Sequence, residues 1–229
     1  RLQCPTTLSV RYILSAALIL SVFLFNTHAM ADTTYTMLGR SSIERSYISL
    51  SADDWDWLRK KRVLELGVPQ PDFPPFEMTA HSAYYEGITA DVAGMLSQLL
   101  NIEVKVSVMP DRTSALVALE RGSIDMIGSA NCFETAGGRV LLSNPYAEDV
   151  PAIYVNLADK STLSKDLVGK RVAVSEGYLQ PALLKARYPK ALIQYYKSPD
   201  LALAALAFGD ADAYIGDAIS SNYLINISY

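Results

Sequence analysis

Hydrophobic and polar positions follow one pattern twice along this chain, and the repetition predicts two units of similar design. The pattern L-x-x-L-x-x-G-x-x-D covers residues 116–125 and again 203–212, and both copies continue into an apolar stretch. Its leucines form a stripe on the last turns of a helix, its glycine suits the left-handed turn after a helix end, and the apolar stretch is typical of a buried strand. Two such units predict two lobes with a ligand cleft between them. The alternative is coincidence, because helix–glycine–strand segments are common in α/β proteins.

The first part of the chain predicts alternating helices and strands. Ser51 and Asp54 have the spacing of a capping box, which predicts a helix start. The segment 69–78 contains too much proline for a helix or a central strand, so we expect a fixed, extended loop at a strand's carboxyl end, where open α/β sheets bind ligands. Periodicity predicts helices at 52–61, 90–100 and 113–121, and strands at 63–68, 102–108, 124–128 and 151–155.

The second part of the chain predicts more of the same elements. Strands are predicted at 171–174, 191–195 and 213–215, and helices at 179–187, 199–208 and 218–227. No strands that would return to the first lobe follow the last helix, so we expect the second lobe to be truncated at its C-terminus. An open sheet edge favours aggregation, and residues 32–229 alone are therefore expected to be poorly soluble.

The N-terminus has the features of a secretory signal peptide. Arg11 precedes an apolar run over 12–25, and an A-x-A sequence ends at Ala31. This order predicts export and cleavage after Ala31; the alternative is an uncleaved anchor, although the run is shorter than the ~20 residues that a spanning helix prefers. The polar residues 32–47 are typical of a loosely held, irregular leader. The predicted divisions are a signal peptide at 1–31, a leader at 32–50, a first lobe at 51–152, and a hinge with an incomplete second lobe at 153–229.

Composition and rare residues limit the chemistry that the chain can carry. Half of the 229 residues are hydrophobic, and the net charge of −4 comes without a basic run, which argues against nucleic acid as a partner. Cleavage would leave Cys132 as the sole cysteine and His81 as the sole histidine. No intrachain disulfide and no multi-histidine metal site are therefore expected. We expect no metal, no cofactor and no catalytic residue in this chain.

Several short motifs, taken in their order, resemble the bacterial extracellular solute-binding proteins of family 3, which have a bilobed Venus flytrap fold. The motifs are F-P-P-F at 73–76, Y-E-G-I-T-A-D at 85–91, G-S-I-D at 122–125, S-N-P-Y at 143–146 and D-A-Y-I-G-D at 212–217. The resemblance implies an α/β, bilobed periplasmic-binding-protein fold and a small polar or anionic solute as the ligand.

A closer similarity is to the periplasmic sensor domains of BvgS/EvgS-type hybrid histidine kinases. It rests on the lead-in sequence at 50–58 and on the segments 128–131, 207–209 and 216–220. This similarity implies the solute-sensing domain of a two-component sensor, located in the periplasm and tethered to the inner membrane in a full-length protein. A second flytrap domain, a dimer partner and a histidine kinase would then lie outside this chain.

The resemblance also implies the residues of a ligand cleft. Members that bind amino acids hold the ligand carboxylate with an arginine, but the aligned position here is Ala136 or Gly137. Arg112 stands where several members stack an aromatic ring, and it would receive an anion instead, since a guanidinium suits a carboxylate; a solvated surface arginine is the alternative. Asp217 matches the family's aspartate for the ligand ammonium, with helix capping as the alternative role. The expected cleft residues are Phe73, Arg112, Ser129 and Asn131 from the first lobe and Gly177, Tyr178 and Asp217 from the second.

Two other functions stay open from the sequence. One is a soluble periplasmic binding protein that delivers a solute to the permease of an ABC importer. The other is an enzyme on this fold, as in cyclohexadienyl dehydratases, although the carboxylates of Glu77, Glu86 and Glu134 form no recognisable catalytic pair. The reading frame beyond Tyr229 would discriminate, because only the sensor continues into a second flytrap, a membrane helix and a kinase.

Overall fold

A computed structural model of the chain describes residues 34–43, 48–80, 83–130, 139–148, 150–159 and 164–228. The predicted signal peptide and the predicted site residue Asn131 lie outside these ranges, as do His81 and Cys132. The helices of the described part are α1 (Ala52–Lys61), α2 (Ile88–Leu100), α3 (Arg112–Glu120), α4 (Pro181–Arg187), α5 (Pro199–Ala207) and α6 (Ala218–Ser228). The strands are β1 (Thr34–Met37), β2 (Val63–Pro69), β3 (Met78–Ala80), β4 (Tyr84–Glu86), β5 (Glu103–Met109), β6 (Met126–Ile127), β7 (Pro151–Tyr154), β8 (Arg171–Ser175), β9 (Leu192–Tyr196) and β10 (Ala213–Asp217).

Every helix and strand predicted from periodicity is present, with ends that agree within two residues. The start of α1 shows why such ends can be read from sequence. Ser51 accepts a hydrogen bond from the backbone of Asp54, and Asp54 accepts one from the backbone of Ser51, both at 3.1 Å. This capping box satisfies two backbone donors that the helix itself leaves unpaired.

The described strands form two sheets. The first has the strand order β3-β4-β1-β5-β2-β6, and the second has the order β7-β10-β8-β9. We use first lobe for the six-stranded sheet with α1, α2 and α3, and second lobe for the four-stranded sheet with α4, α5 and α6. Strands β2, β5 and β6 run parallel, as do β8, β9 and β10. The carboxyl ends of the parallel strands therefore share one edge in each lobe.

The leader is not irregular throughout, contrary to the sequence prediction. Thr34–Met37 forms β1, which lies between β4 and β5, parallel to the former and antiparallel to the latter. Tyr35 and Met37 pack against the first-lobe core, while Thr34 and Thr36 are exposed. Four alternating residues are too short a pattern to distinguish from a polar linker, so only the pairing partners reveal this strand. The β3–β4 hairpin was likewise not predicted.

The repeated sequence pattern is also a structural repeat. Gly122 and Gly209 both adopt left-handed backbone conformations, with φ of 72° and 81°. Asp125 accepts a hydrogen bond of 2.8 Å from the backbone N–H of Glu65, at the start of β2. Asp212 accepts one of 2.8 Å from the backbone N–H of Arg171, at the start of β8. Each pattern therefore ends a helix and then ties the next strand to its parallel neighbour.

Apolar residues of the sheets and helices form the cores. In the first lobe, Leu66, Val68 and Val106 of the central strands are almost completely buried, together with Ala90 and Ala93 of α2. The second lobe has two apolar clusters. One groups Leu203, Leu206, Tyr214 and Leu224, and the other groups Leu167, Val172, Val174, Leu184 and Ile215.

Candidate functional site

The proline-rich segment after β2 is a loop with fixed internal contacts, and we call residues 70–77 the proline loop. Asp72 accepts hydrogen bonds of 2.8 Å from both the backbone N–H and the hydroxyl of Thr79. The rings of Phe73 and Phe76 stack with centroids 5.4 Å apart and an interplanar angle of 12°. Phe76 is buried and belongs to the core, whereas Phe73 is half-buried.

The proline loop caps the start of α2. The backbone oxygens of Pro75 and Phe76 each accept a hydrogen bond of 3.0 Å from the backbone N–H groups of Ile88 and Thr89. Gly87 precedes the helix with φ of 118°, and a Cβ atom there would lie 2.5 Å from the oxygen of Phe76. Only glycine allows this conformation and this close approach, and the arrangement holds Thr89 at the edge of the sheet.

A group of polar side chains meets at the carboxyl edge of the first sheet, and we call it the polar cluster. Thr89 and Tyr146 share a hydrogen bond of 2.8 Å between their hydroxyls, and the Tyr146 hydroxyl accepts another of 3.0 Å from the backbone N–H of Ser129. Glu77 is only 2% exposed and lies against Gly128. The members of the cluster are Glu77, Tyr85, Thr89, Ser129 and Tyr146.

The chemistry of the polar cluster is shaped by burial. Burial raises the pKa of Tyr85 far above its usual value, and the nearby charge of Glu77 raises it further. Tyr85 therefore keeps its proton at any physiological pH. The cluster supplies hydroxyl groups and one buried acidic side chain, which are groups that orient a small polar molecule.

Arg112 lies beside the polar cluster and is half-buried, so it is not a solvated surface arginine. Its two terminal nitrogens donate hydrogen bonds of 3.1 Å and 3.2 Å to the backbone oxygens of Gly128 and Ser129. These two bonds hold the guanidinium against the backbone that follows β6. Arg112 also fixes the turn after β6, where Ser129 adopts a left-handed φ of 52°.

The second lobe contributes an aspartate that has the helix-capping role given above as the alternative. Asp217, at the end of β10, is 5% exposed and accepts a hydrogen bond of 2.8 Å from the backbone N–H of Ser220 in the first turn of α6. Gly177 follows β8 and is exposed, with φ of 78°. Tyr178 packs against the second-lobe cluster that contains Val172 and Val174.

The two lobes touch through α6. The hydroxyl of Ser220 donates a hydrogen bond of 2.5 Å to the backbone oxygen of Pro74 in the proline loop. The hydroxyl of Tyr223 lies 3.6 Å from the sulfur of Met78, just after that loop. The loop with Phe73 and the helix capped by Asp217 are therefore neighbours.

The structure thus joins some of the predicted site residues directly. Arg112 contacts Ser129, and one intermediate residue, Ser220, connects Asp217 to the proline loop that carries Phe73. Thr89, Tyr146 and Ser220 were not predicted as site residues, although each lies within a segment that carried the family resemblance.

The described ranges contain neither a membrane-spanning helix nor a metal-binding cluster of side chains. No helix there has the length and apolar character needed to cross a membrane. No group of three or more histidine, cysteine, aspartate or glutamate side chains within those ranges is arranged to hold a metal ion.

Comparison with known proteins connects this geometry to one family. The family model of the bacterial extracellular solute-binding proteins, family 3, matches residues 66–211. The virulence sensor protein BvgS of Bordetella parapertussis is 40% identical over 216 residues, which cover 94% of this chain and 17% of that protein. Sensor protein EvgS of Escherichia coli O157:H7 is 28% identical over 211 residues, with 89% and 17% covered.

A solved structure agrees with the sequence relatives. The crystal structure of the Bordetella pertussis BvgS periplasmic domain matches with a TM-score of 0.74 and 40% identity, over 86% of this chain and 38% of that chain. The chain spans about 17% of the length of the curated relatives it matches.

Proposed function

This chain belongs to the bacterial extracellular solute-binding proteins of family 3, and we propose that it is the periplasmic solute-sensing domain of a BvgS/EvgS-type two-component sensor kinase. Its α/β fold is the Venus flytrap of that family, with two sheets whose carboxyl edges carry the polar residues. The identity of 40% to a BvgS protein over 94% of the chain favours the sensor over an importer's binding protein. The kinase, a second flytrap, a dimer partner and membrane tethering are parts of the proposal that lie outside this chain.

One observation carries the binding part of the proposal. Ser129, after β6, and Ser175, at the end of β8, each have a buried hydroxyl with no hydrogen-bond partner among the described residues. Buried polar groups are nearly always paired, and these two lie at the carboxyl edges of the two lobes, where α/β sheets bind ligands. A small polar solute in the cleft would supply the partners that both hydroxyls need.

Arg112 favours an anionic group on the solute. Its guanidinium is already held by the backbone oxygens of Gly128 and Ser129, so little side-chain freedom would be lost when it binds a ligand. Hydrogen bonds from a guanidinium to a carboxylate are charge-assisted and therefore strong. We propose that Arg112 orients a carboxylate or a similar anion beside Ser129, with Asn131, Gly177, Tyr178 and Asp217 as further cleft residues.

The experiment is a thermal-shift screen of the purified protein with the protein amino acids and a series of short mono- and dicarboxylates. For the best solute, Arg112→Ala should weaken affinity by about tenfold or more, since a hydrogen bond to a charged group is lost. Arg121→Ala is the matched control, because Arg121 ends the same helix and is exposed. Equal affinities of both variants would contradict the assignment of Arg112.

The sensor part needs a separate measurement. The full-length protein in membrane vesicles should change its autophosphorylation rate when that solute is added, and Arg112→Ala should remove most of the response. A solute that binds without any change in phosphorylation would contradict the sensor proposal while leaving the binding site intact.

A further inference from the structure

Helix α1 carries two tryptophans that face in opposite directions. Trp55 is half-buried and packs against the first-lobe core, and Leu58 of the same helix is buried there. Trp57 is 54% exposed, because a step of two residues turns an α-helix by about 200°. Tryptophan is among the residues most enriched at the energetic centres of protein–protein interfaces. The face of α1 that carries Trp57 is therefore a candidate docking surface.

Two charged residues flank Trp57 on the same face of α1. Asp53 precedes Trp57 by four residues and Lys60 follows it by three, and such positions share one side of an α-helix. All three residues are exposed, and we call Asp53, Trp57 and Lys60 the α1 stripe. The α1 stripe presents an acidic group, a large aromatic ring and a basic group in that order.

The two charges of the α1 stripe form no ion pair with any other described residue. The remaining charged side chains of α1 all have a partner, which is the capping box for Asp54, Arg59 for Asp56, and Asp125 for Lys61. Asp53 and Lys60 cannot pair with each other, because seven helical residues separate them by about 10 Å. Each charge suits its own end of the helix dipole, but that interaction leaves the carboxylate and the ammonium group open to a partner.

From this pattern we propose that the α1 stripe binds a second copy of this chain, with the two α1 helices antiparallel about a two-fold axis at Trp57. Such an axis places the same patch on both subunits. Along the helix axis, Asp53 lies about 6 Å and Lys60 about 4.5 Å from Trp57, on opposite sides of it. Asp53 of each copy therefore lies opposite Lys60 of the other. The proposal goes beyond the solute-sensing function and involves no solute.

Charge complementarity favours a second copy as the occupant of this surface. In a parallel pairing of two α1 helices, Asp53 would face Asp53 and Lys60 would face Lys60, and like charges opposed across an interface are costly. In the antiparallel pairing, each charge meets an opposite one. A helix of 10 residues is about 15 Å long, which is too short to bury the roughly 1,200 Å² of a stable interface. We therefore expect a weak dimer whose population depends on protein concentration.

Sedimentation equilibrium of the purified protein at rising concentration tests this pairing. Asp53→Lys should weaken the dimer by about tenfold or more, because two positive charges would then face each other. Lys60→Asp should weaken it for the same reason with two negative charges. The variant that carries both changes should regain the affinity of the parent, since opposite charges again face each other. Trp57→Ala should weaken the dimer without rescue by either charge change.

Matched controls lie at the ends of two helices in the second lobe. Asp200 in the first turn of α5 and Lys185 in the last turn of α4 are exposed charges at equivalent helix positions. Asp200→Lys and Lys185→Asp change the net charge and the interaction with a helix dipole as the α1 variants do. Both controls should therefore leave the dimer unchanged.

Disulfide formation provides a second measurement. Trp57→Cys, in a protein whose Cys4 and Cys132 are replaced by serine, should give a cross-linked dimer on mild oxidation, because the two-fold axis passes beside this position. Val117→Cys on α3 is the control, since Val117 is also exposed and lies outside the α1 stripe.

Four results would overturn the proposal. They are a parent protein that stays monomeric and does not cross-link at position 57, single charge variants that associate as well as the parent, a double variant that stays as weak as the single ones, and controls that weaken the dimer equally. A double variant without rescue would mean that the α1 stripe contacts something other than a second α1. Circular dichroism verifies that each variant is folded, and the absence of solute makes the outcome independent of the proposed binding site.

Discussion

At the scale of single residues, close backbone approach decides where the polar cluster can form. A Cβ atom on Gly128 would lie 2.3 Å from a methyl carbon of Thr89 and 2.4 Å from a carboxylate oxygen of Glu77. Neither neighbour can retreat easily, because Glu77 and Thr89 are both buried. Gly128 is therefore required by contact with its neighbours, not by an unusual φ.

We predict that Gly128→Ala destabilises the protein by about 1–3 kcal/mol, the usual cost of inserting a methyl group into a filled site. Urea unfolding measures this loss. Gly94→Ala in α2 is the control, because its Cβ would meet only the Cα of Gly39 at an ordinary 3.6 Å, and alanine in a helix is favoured over glycine by about 1 kcal/mol. A Gly128→Ala variant as stable as Gly94→Ala would show that the site is less filled than the geometry indicates.

At the scale of elements, the aspartate at the end of each repeated pattern joins the strand that follows it to the neighbouring parallel strand. Asp212 accepts hydrogen bonds from both the backbone and the side chain of Arg171. The side-chain hydrogen bond from Arg171 is the largest cause that lowers the pKa of Asp212 below its ordinary value of 3.8. A carboxylate whose pKa is lowered by folding stabilises the folded state at pH values above the pKa that it has in the unfolded chain. This stabilisation is lost as the pH falls through the pKa of the folded state.

We therefore predict that Asp212→Asn is less stable than the unchanged protein at neutral pH, and that the difference shrinks as the pH falls below about 4. Thermal unfolding across that range is the measurement. Asp210→Asn is the control, since Asp210 lies in the same exposed turn after α5. A difference that stays constant with pH would mean that the ionised carboxylate contributes nothing and that only the shape of the side chain matters.

At the scale of the whole molecule, the leader completes the first lobe. Strand β1 pairs with β4 on one side and β5 on the other. The segment after β1 continues along α2, where the backbone N–H of Arg40 bonds to Asp91 at 2.5 Å. The leader therefore belongs to the fold of the first lobe.

We predict that a chain beginning at Leu38 unfolds more easily than one beginning at Thr34, by about 2–4 kcal/mol. The reason is the lost burial of Tyr35 and Met37, since one fully buried large side chain contributes about 1.5–3 kcal/mol. Two strand edges would also become unpaired, which favours aggregation. Chemical unfolding and light scattering of both chains test this, and matching midpoints without aggregation would show that β1 is dispensable.

The sequence by itself determined the two-lobed design and all the helices and strands except β1, β3 and β4. Hydrophobic periodicity, the capping box at Ser51 and the repeated glycine–aspartate pattern are local signals, and local signals suffice where a segment of ten residues decides its own conformation. The same signals, with the family resemblance, placed Arg112 and Asp217 at strand ends. Those two placements were possible because the carboxyl ends of parallel strands share one edge.

Tertiary structure alone decided which residues Arg112 and Asp217 contact. Strand β1 became visible only through its partners, because four alternating residues carry too little signal. The contacts of Arg112 with Gly128 and Ser129, and of Ser220 with Pro74, join residues that are 16, 17 and 146 positions apart. No sequence-spacing rule predicts contacts between residues so far apart in the chain, since these contacts depend on how complete sheets and helices pack against each other.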